Sequence, residues 1–177
     1  MFKATRLLAA LMLSGFGLAA NATETDLGPI VGTQAFSGAV LSPGLFGDIF
    51  EFSLSANAGS GYSVINFPLS VGPLSFNTIF SSLSLYSNPD GILYNGDDTL
   101  LTSVAGAGPL GLTWGPTAGG NMYLAVVGVA TGATGGLYSG AISVSPVPEA
   151  ETWAMMGLGL GLVGLQLRRR KAAERIA

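Results

Sequence analysis

Phe46-Gly47-Asp48-Ile49-Phe50-Glu51-Phe52-Ser53-Leu54 alternates with a period of two: Phe46, Phe50, Phe52 and Leu54 share one parity, while Glu51, Ser53 and then Ser55 take the other. Successive side chains of a strand point to opposite faces, so this stretch predicts a β-strand with an aromatic face on a core and a polar face on water. Asp48 has the parity of the phenylalanines, and a regular strand aims it at the core. A buried carboxylate needs partners. There is no Lys or Arg between Arg6 and Arg168 and no His anywhere, which leaves backbone N–H groups, hydroxyls or a bound metal ion. The ordinary alternatives to the ion are hydrogen bonds from a neighbouring loop, or a bulge that turns Asp48 outward.

Working outward, Tyr62 to Phe67, Ser75 to Phe80, Ser82 to Tyr86, Thr99 to Val104 and Leu137 to Val144 are further candidate strands. Met122 to Ala130 is a continuous apolar run, as in a central strand covered on both faces. Turn chemistry separates these runs at Asn88-Pro89-Asp90-Gly91, at Asn95-Gly96-Asp97-Asp98 and over Thr131 to Gly136. No stretch between them sustains a helical period. The pattern predicts an all-β fold: a single antiparallel β-sandwich or jelly-roll-like domain at residues 34–145, with residues 23–33 as a linker and 146–151 as a spacer.

Both ends read as addresses. Lys3 and Arg6 precede the apolar stretch Leu7 to Ala20, and Ala20-Asn21-Ala22 puts small residues where a signal peptidase reads them. Residues 1–22 are thus expected to form a signal peptide helix, cleaved before Thr23. At the other end, Pro148-Glu149 is followed by an apolar run at residues 152–167, expected to be a transmembrane helix. The basic cluster Arg168-Arg169-Arg170-Lys171 then opens a cytoplasmic tail, residues 168–177. That run rises only ~24 Å at ~1.5 Å per residue, short of a hydrocarbon core of ~30 Å. Gly157, Gly161 and Gly164 line one smooth face of it, suited to close approach by another membrane helix or simply typical of membrane helices.

The order Pro-Glu, apolar helix, arginine cluster resembles the PEP-CTERM sorting signal of exopolysaccharide-producing Gram-negative bacteria. Ala150 stands where the second proline of Pro-Glu-Pro is usual. Phe46-Gly47-Asp48-Ile49-Phe50 is similar to the F-x-D-x-F motif that names one group of such proteins. The resemblance implies a β-rich exported protein, processed by a signal peptidase and an exosortase. It implies a precursor held at the inner membrane by its C-terminal helix, then a mature form at the cell surface or in the extracellular matrix, associated with exopolysaccharide or biofilm. In that family the protease supplies the catalytic residues.

Composition narrows the rest. The chain has no cysteine, so no disulfide can staple the domain, and zinc lacks its usual nitrogen and sulfur ligands. Without a basic patch between Arg6 and Arg168, nucleic acid is not expected as a partner of the exported domain. In the exported domain, which has no His, Cys or Lys, the common nucleophile-and-base arrangements cannot be assembled. Glu24, Asp26, Asp48, Glu51, Asp90, Asp97 and Asp98 give the exported region a charge of about −7, hidden within the whole-chain value of −3.

Asp90, Asp97 and Asp98, with Asn88 and Asn95, carry oxygens of the kind calcium prefers, and equally the side chains of solvated turns; their spacing is not that of the twelve-residue calcium loop. The close carboxylate pairs, Asp48 with Glu51 and Asp97 with Asp98, sit in a strand and a turn with nothing to set them across a sugar. Trp114, Tyr86, Tyr94 and Tyr123 are candidate stacking faces for carbohydrate, or ordinary sandwich core. The reading is therefore a sorted, non-enzymatic surface or matrix protein with no resident cofactor. A carbohydrate-binding module with the same tail and a simple C-terminally anchored protein are the alternatives.

Overall fold

The computed structural model describes residues 21–116, 118–146 and 150–174. The chain divides into two compact units, Met1–Ser145 and Pro146–Ala177. The first is a sandwich of two sheets. One holds five strands in the order β1 (Glu24–Pro29), β3 (Gly44–Leu54), β10 (Gly120–Ala130), β7 (Thr78–Ser87) and β8 (Thr99–Ala105). The other holds β2 (Thr33–Val40), β11 (Gly136–Pro146), β4 (Ala58–Asn66) and β9 (Leu110–Trp114). A small ribbon, β5 (Leu69–Val71) with β6 (Leu74–Phe76), stands apart from both.

The founding stretch forms β3 as its alternation dictates. Phe46, Asp48, Phe50, Phe52 and Leu54 are buried, while Glu51 and Ser53 lie on the opposite face. Beside it β10 pairs residue for residue, from Gly120 opposite Leu54 to Ala130 opposite Gly44. Strand β10 is central, as its apolar run predicts. Its second face is covered only in part, since Ala125, Val127 and Val129 are half-buried. The inner faces of the two sheets meet in one core, to which the second sheet contributes Phe36, Val40, Tyr62, Val64, Leu110, Tyr138 and Ile142.

The two runs Ser75 to Phe80 and Ser82 to Tyr86, expected as separate strands, fall largely on β7, which has a bulge between them. Val127 pairs with Ser82 and Gly128 with Phe80, which leaves Ser81 as the extra residue. An inserted residue flips the side-chain parity, so Phe80 and Leu83 both reach the core. The Asn95-Gly96 signal does sit between paired strands, but residues 88–98 form a long connection between β7 and β8 and not a tight two-residue turn.

Residues 23–33 are not a linker. Strand β1 runs parallel to β3, with Glu24 opposite Ile49 and Asp26 opposite Glu51, so the sandwich is mixed and not wholly antiparallel. Asn21 also pairs with this edge: Gly47 N–H donates to Asn21 O at 2.9 Å. The segment hides its strand character because backbone bonds hold it and little apolar surface does; Leu27 is half-buried and Ile30 buried.

Among its described residues the second unit contains one helix, α1 (Ala150–Glu174), with Glu151 in its first turn, where the helix dipole favours a carboxylate. It overruns the expected residues 152–167 at both ends and takes in the basic cluster, since Arg and Lys are good helix formers. Among the described residues no helix is long and apolar enough to cross a membrane. The expected transmembrane helix, and membrane anchoring by it, are therefore not supported. The physical reason is that the apolar run is short, is diluted by glycines and Gln166, and is closed by Glu151 and Arg168.

Candidate functional site

Asp48 is buried between the two sheets, 2% exposed. Its Oδ1 accepts hydrogen bonds from the Thr23 backbone N–H at 3.0 Å and the Thr23 hydroxyl at 2.7 Å. Its Oδ2 accepts one from the Tyr138 hydroxyl at 2.5 Å. The carboxylate is thus held by one backbone donor and two hydroxyls, two of the partner kinds its sequence context allows. It is aimed inward with no bulge at its position.

The flanking phenylalanines explain why the three residues act together. Tyr138 stacks on Phe46 at 5.5 Å between centroids and meets Phe50 and Phe80 edge-on at 6.5 and 5.7 Å. Phe46 and Phe50, two places either side of Asp48, form the walls that steer the Tyr138 ring onto the carboxylate. Gly38, opposite Tyr138 in the β2–β11 pair, leaves room for that ring, since an added Cβ would overlap it. Burial and the neighbouring Asp48 charge hold the Tyr138 hydroxyl well above its ordinary titration range. Sequence reasoning found Asp48 but neither Thr23 nor Tyr138 as its partners, because both are far from it in the chain and neither carries a motif.

On the outer face of the five-stranded sheet, Tyr123 lies opposite Glu51 on one side and Tyr86 on the other. Tyr86 and Tyr123 stack at 4.8 Å with ring planes 9° apart, and Tyr94 leans on Tyr123 at 6.2 Å. The 88–98 connection closes over them. Tyr123 is 3% exposed, whereas Tyr94 is 56% exposed. Burial, then the charge of Asp98, pushes the Tyr123 hydroxyl upward. Trp114 belongs to β9 of the other sheet and packs against the core, so the four aromatic candidates do not make one stacking face.

Two of the calcium candidates, Asp90 and Asp98, help to shape this connection. Asp90 Oδ1 accepts from Ile92 N–H at 2.8 Å and Oδ2 from Asn95 Nδ2 at 2.7 Å. Asp98 Oδ2 accepts from Tyr94 N–H at 2.6 Å, and Asp97 N–H donates to Asn95 Oδ1 at 3.4 Å. Among the described residues no group of three or more acidic side chains comes together to hold a metal ion. Asp90 and Asp98 thus cap the backbone of their own connection, the turn role that their sequence context also allowed.

A polar cleft of about 280 Å³ opens between β1, β3 and the start of the same connection, lined among others by Asp26, Glu51, Asn88 and Asn121. Asn88 is 1% exposed, and its Oδ1 has no hydrogen-bond partner. Ala22 and Thr23 of the expected peptidase site are described and exposed; Ala20 lies outside the described residues, as do Pro148 and Glu149. Arg168, Arg169 and Arg170 are on α1.

No curated protein matches the chain. Its fold is similar to that of the pre-peptidase C-terminal domain of a Bacillus anthracis collagenase, at 16% identity over 72% of this chain and 95% of that one, with a TM-score of 0.38. It is likewise similar to PliG of Aeromonas hydrophila, a periplasmic inhibitor of g-type lysozyme, at 16% identity over 72% and 100% of the two chains, TM-score 0.36. CorA, a surface-associated copper-binding protein of Methylomicrobium album BG8, gives 10% identity over 73% and 100%, TM-score 0.35. Residues 146–171 match the family model described as the PEP-CTERM protein-sorting motif, so the chain carries that motif, and the match supports an exported protein sorted by an exosortase.

Proposed function

We propose that this chain is a non-enzymatic exported protein of the F-x-D-x-F group, delivered by its C-terminal signal to the cell surface or extracellular matrix, where it accompanies exopolysaccharide. The observation that carries the reading is the sorting motif over residues 146–171, which spans Pro148-Glu149 and the arginines of α1. The F-x-D-x-F assignment draws support from Phe46 and Phe50, which pack around the Asp48–Tyr138 pair as a structural unit.

The non-catalytic part rests on how the carboxylates are used. Asp48 is enclosed in the core and Glu51 lies on the other face of the same strand, so the pair cannot flank a sugar from one side. Asp90 and Asp98 serve their own turn. The aromatic residues favour no carbohydrate-binding alternative, since Tyr123 is covered and Trp114 is on the other sheet.

The test is mass spectrometry of the protein recovered from cells and medium, with and without the sorting protease. Wild-type cells should yield a C-terminus near Pro148-Glu149, and cells without the protease the uncut chain. An uncut C-terminus at Ala177 in wild-type cells overturns the sorting reading.

A further inference from the structure

Export through an N-terminal signal peptide entails a cut before Thr23. Resting on that reading, we propose that Asp48 is the receptor for the α-ammonium group the cut creates, so that processing itself gives the buried carboxylate its counter-ion.

The geometry is already in place. Thr23 N stands 3.0 Å from Asp48 Oδ1, and the Thr23 hydroxyl bonds the same oxygen. In the uncut chain all three donors to Asp48 are neutral, and no Lys, Arg or His lies between Arg6 and Arg168. Hydrolysis of the Ala22–Thr23 bond by the peptidase and water leaves a carboxylate on Ala22 and an amine on Thr23. Free α-amino groups titrate near ~7.7–8.0, so at neutral pH the amine takes up a proton. A charge-assisted bond then replaces a neutral one at the same position.

The exchange has a cost, which the surface position keeps small. Cleavage removes the bonds from Asn21 N–H to Leu45 O at 3.0 Å and from Gly47 N–H to Asn21 O at 2.9 Å. Leu45 and Gly47 are half-buried, so water can satisfy the freed groups. Thr23 is itself exposed while Asp48 is buried, and the ammonium keeps part of its hydration as it neutralises the carboxylate.

The titratable groups facing the new nitrogen are Asp48 of β3 and, across that carboxylate, Tyr138 of β11; Glu24, next in the chain, interacts with Tyr94. Asp48 raises the proton affinity of the ammonium. The added stability is therefore full below the ordinary α-amino range and is lost as pH rises through the raised value. Folding of the β-domain thus becomes firmest only after export.

The experiment compares the chain Thr23–Ala177, released from a fusion so that Thr23 is first, with the same chain Nα-acetylated. Below pH ~7 the free form should melt about 5 °C or more above the acetylated one. The gap should close at alkaline pH and vanish in Asp48→Asn. Should Asp48→Asn fail to fold, NMR titration of ¹⁵N-labelled Thr23 in the unsubstituted chain still decides, with a midpoint expected above ~8. Equal melting, a gap that survives in Asp48→Asn, or an unraised midpoint overturns the proposal. An exported protein that begins at a residue other than Thr23 overturns it and leaves the sorting reading intact; a chain that keeps Met1 and never leaves the cell sinks both.

Discussion

The Tyr138 hydroxyl donates to Asp48 Oδ2 and so ties β11 of one sheet to β3 of the other through the middle of the core. Tyr138→Phe keeps the ring among Phe46, Phe50 and Phe80 but withdraws the donor. A hydrogen bond to a charged, buried acceptor contributes roughly 1.5–3 kcal/mol, and urea unfolding should show a loss of that size. A change under about 0.5 kcal/mol, the range of neutral surface substitutions, would mean that the two residues are not bonded in solution.

Gly38 is required by the same ring. An alanine Cβ there would overlap the Tyr138 side chain, and overpacking in a filled core costs about 1–3 kcal/mol. Gly38→Ala should destabilise within that range. Its effect should shrink in a Tyr138→Leu background, because the obstructing ring is gone; strict additivity in the double-mutant cycle would refute the contact.

Alkaline pH should unfold the domain through its buried tyrosines. Burial pushes the Tyr62 hydroxyl up to about 12, although Ser60 Oγ, bonded to it, works slightly the other way. Tyr138 is raised further by burial and by Asp48. The unfolded chain loses these protons near pH ~10 while the folded one keeps them, so the stabilising difference is complete below that pH and is lost as pH climbs toward the folded values. Unfolding of the Nα-acetylated chain, in which no α-ammonium titrates, should show by circular dichroism a flat stability from neutrality to about pH 9, then a steep fall. A Tyr62→Phe, Tyr138→Phe double variant should have a shallower fall.

Calcium should leave the domain unmoved. Each described oxygen of Asp90, and Oδ2 of Asp98, already accepts a bond from the 88–98 connection. A ligand adds stability only to the extent that it binds the folded state. Melting with millimolar calcium and with chelator should agree within about 1 °C; a concentration-dependent rise of several degrees would restore these residues as ligands.

Particular residues show what the chain made legible. Strand β3 was readable because Phe46, Phe50, Phe52 and Leu54 share one parity against Glu51 and Ser53, and the core position of Asp48 followed from that parity. The two predicted runs around Ser81 met at a bulge, where inserting one residue breaks the very period being read. Strand β1 was missed because backbone pairing to β3 sustains it and its side chains are mostly exposed. Tyr138 and Thr23 were out of reach for a different reason: their meeting at Asp48 depends on which strands face each other, a property of topology that no local pattern encodes.

A last clasp outside the core tests how the β7 entry is held. Asn77 Oδ1 accepts from Asn66 Nδ2 at 2.8 Å, and Asn77 Nδ2 donates to Thr131 Oγ1 at 2.7 Å. Asn66 Oδ1 in turn accepts from the Thr78 N–H at 3.1 Å, beside the buried Thr78 side chain. One side chain therefore joins the end of β4 to the turn after β10. Asn77→Ala removes both bonds and should cost about 1–2 kcal/mol. Asn77→Asp should cost less than Ala at neutral pH. A carboxylate still accepts from Asn66, and the Thr131 hydroxyl can reverse and donate to it, because a hydroxyl serves as either donor or acceptor. Equal losses for the two variants, measured by urea unfolding at pH 7, would show that the Asn77 side chain fills space there and holds nothing by hydrogen bonding.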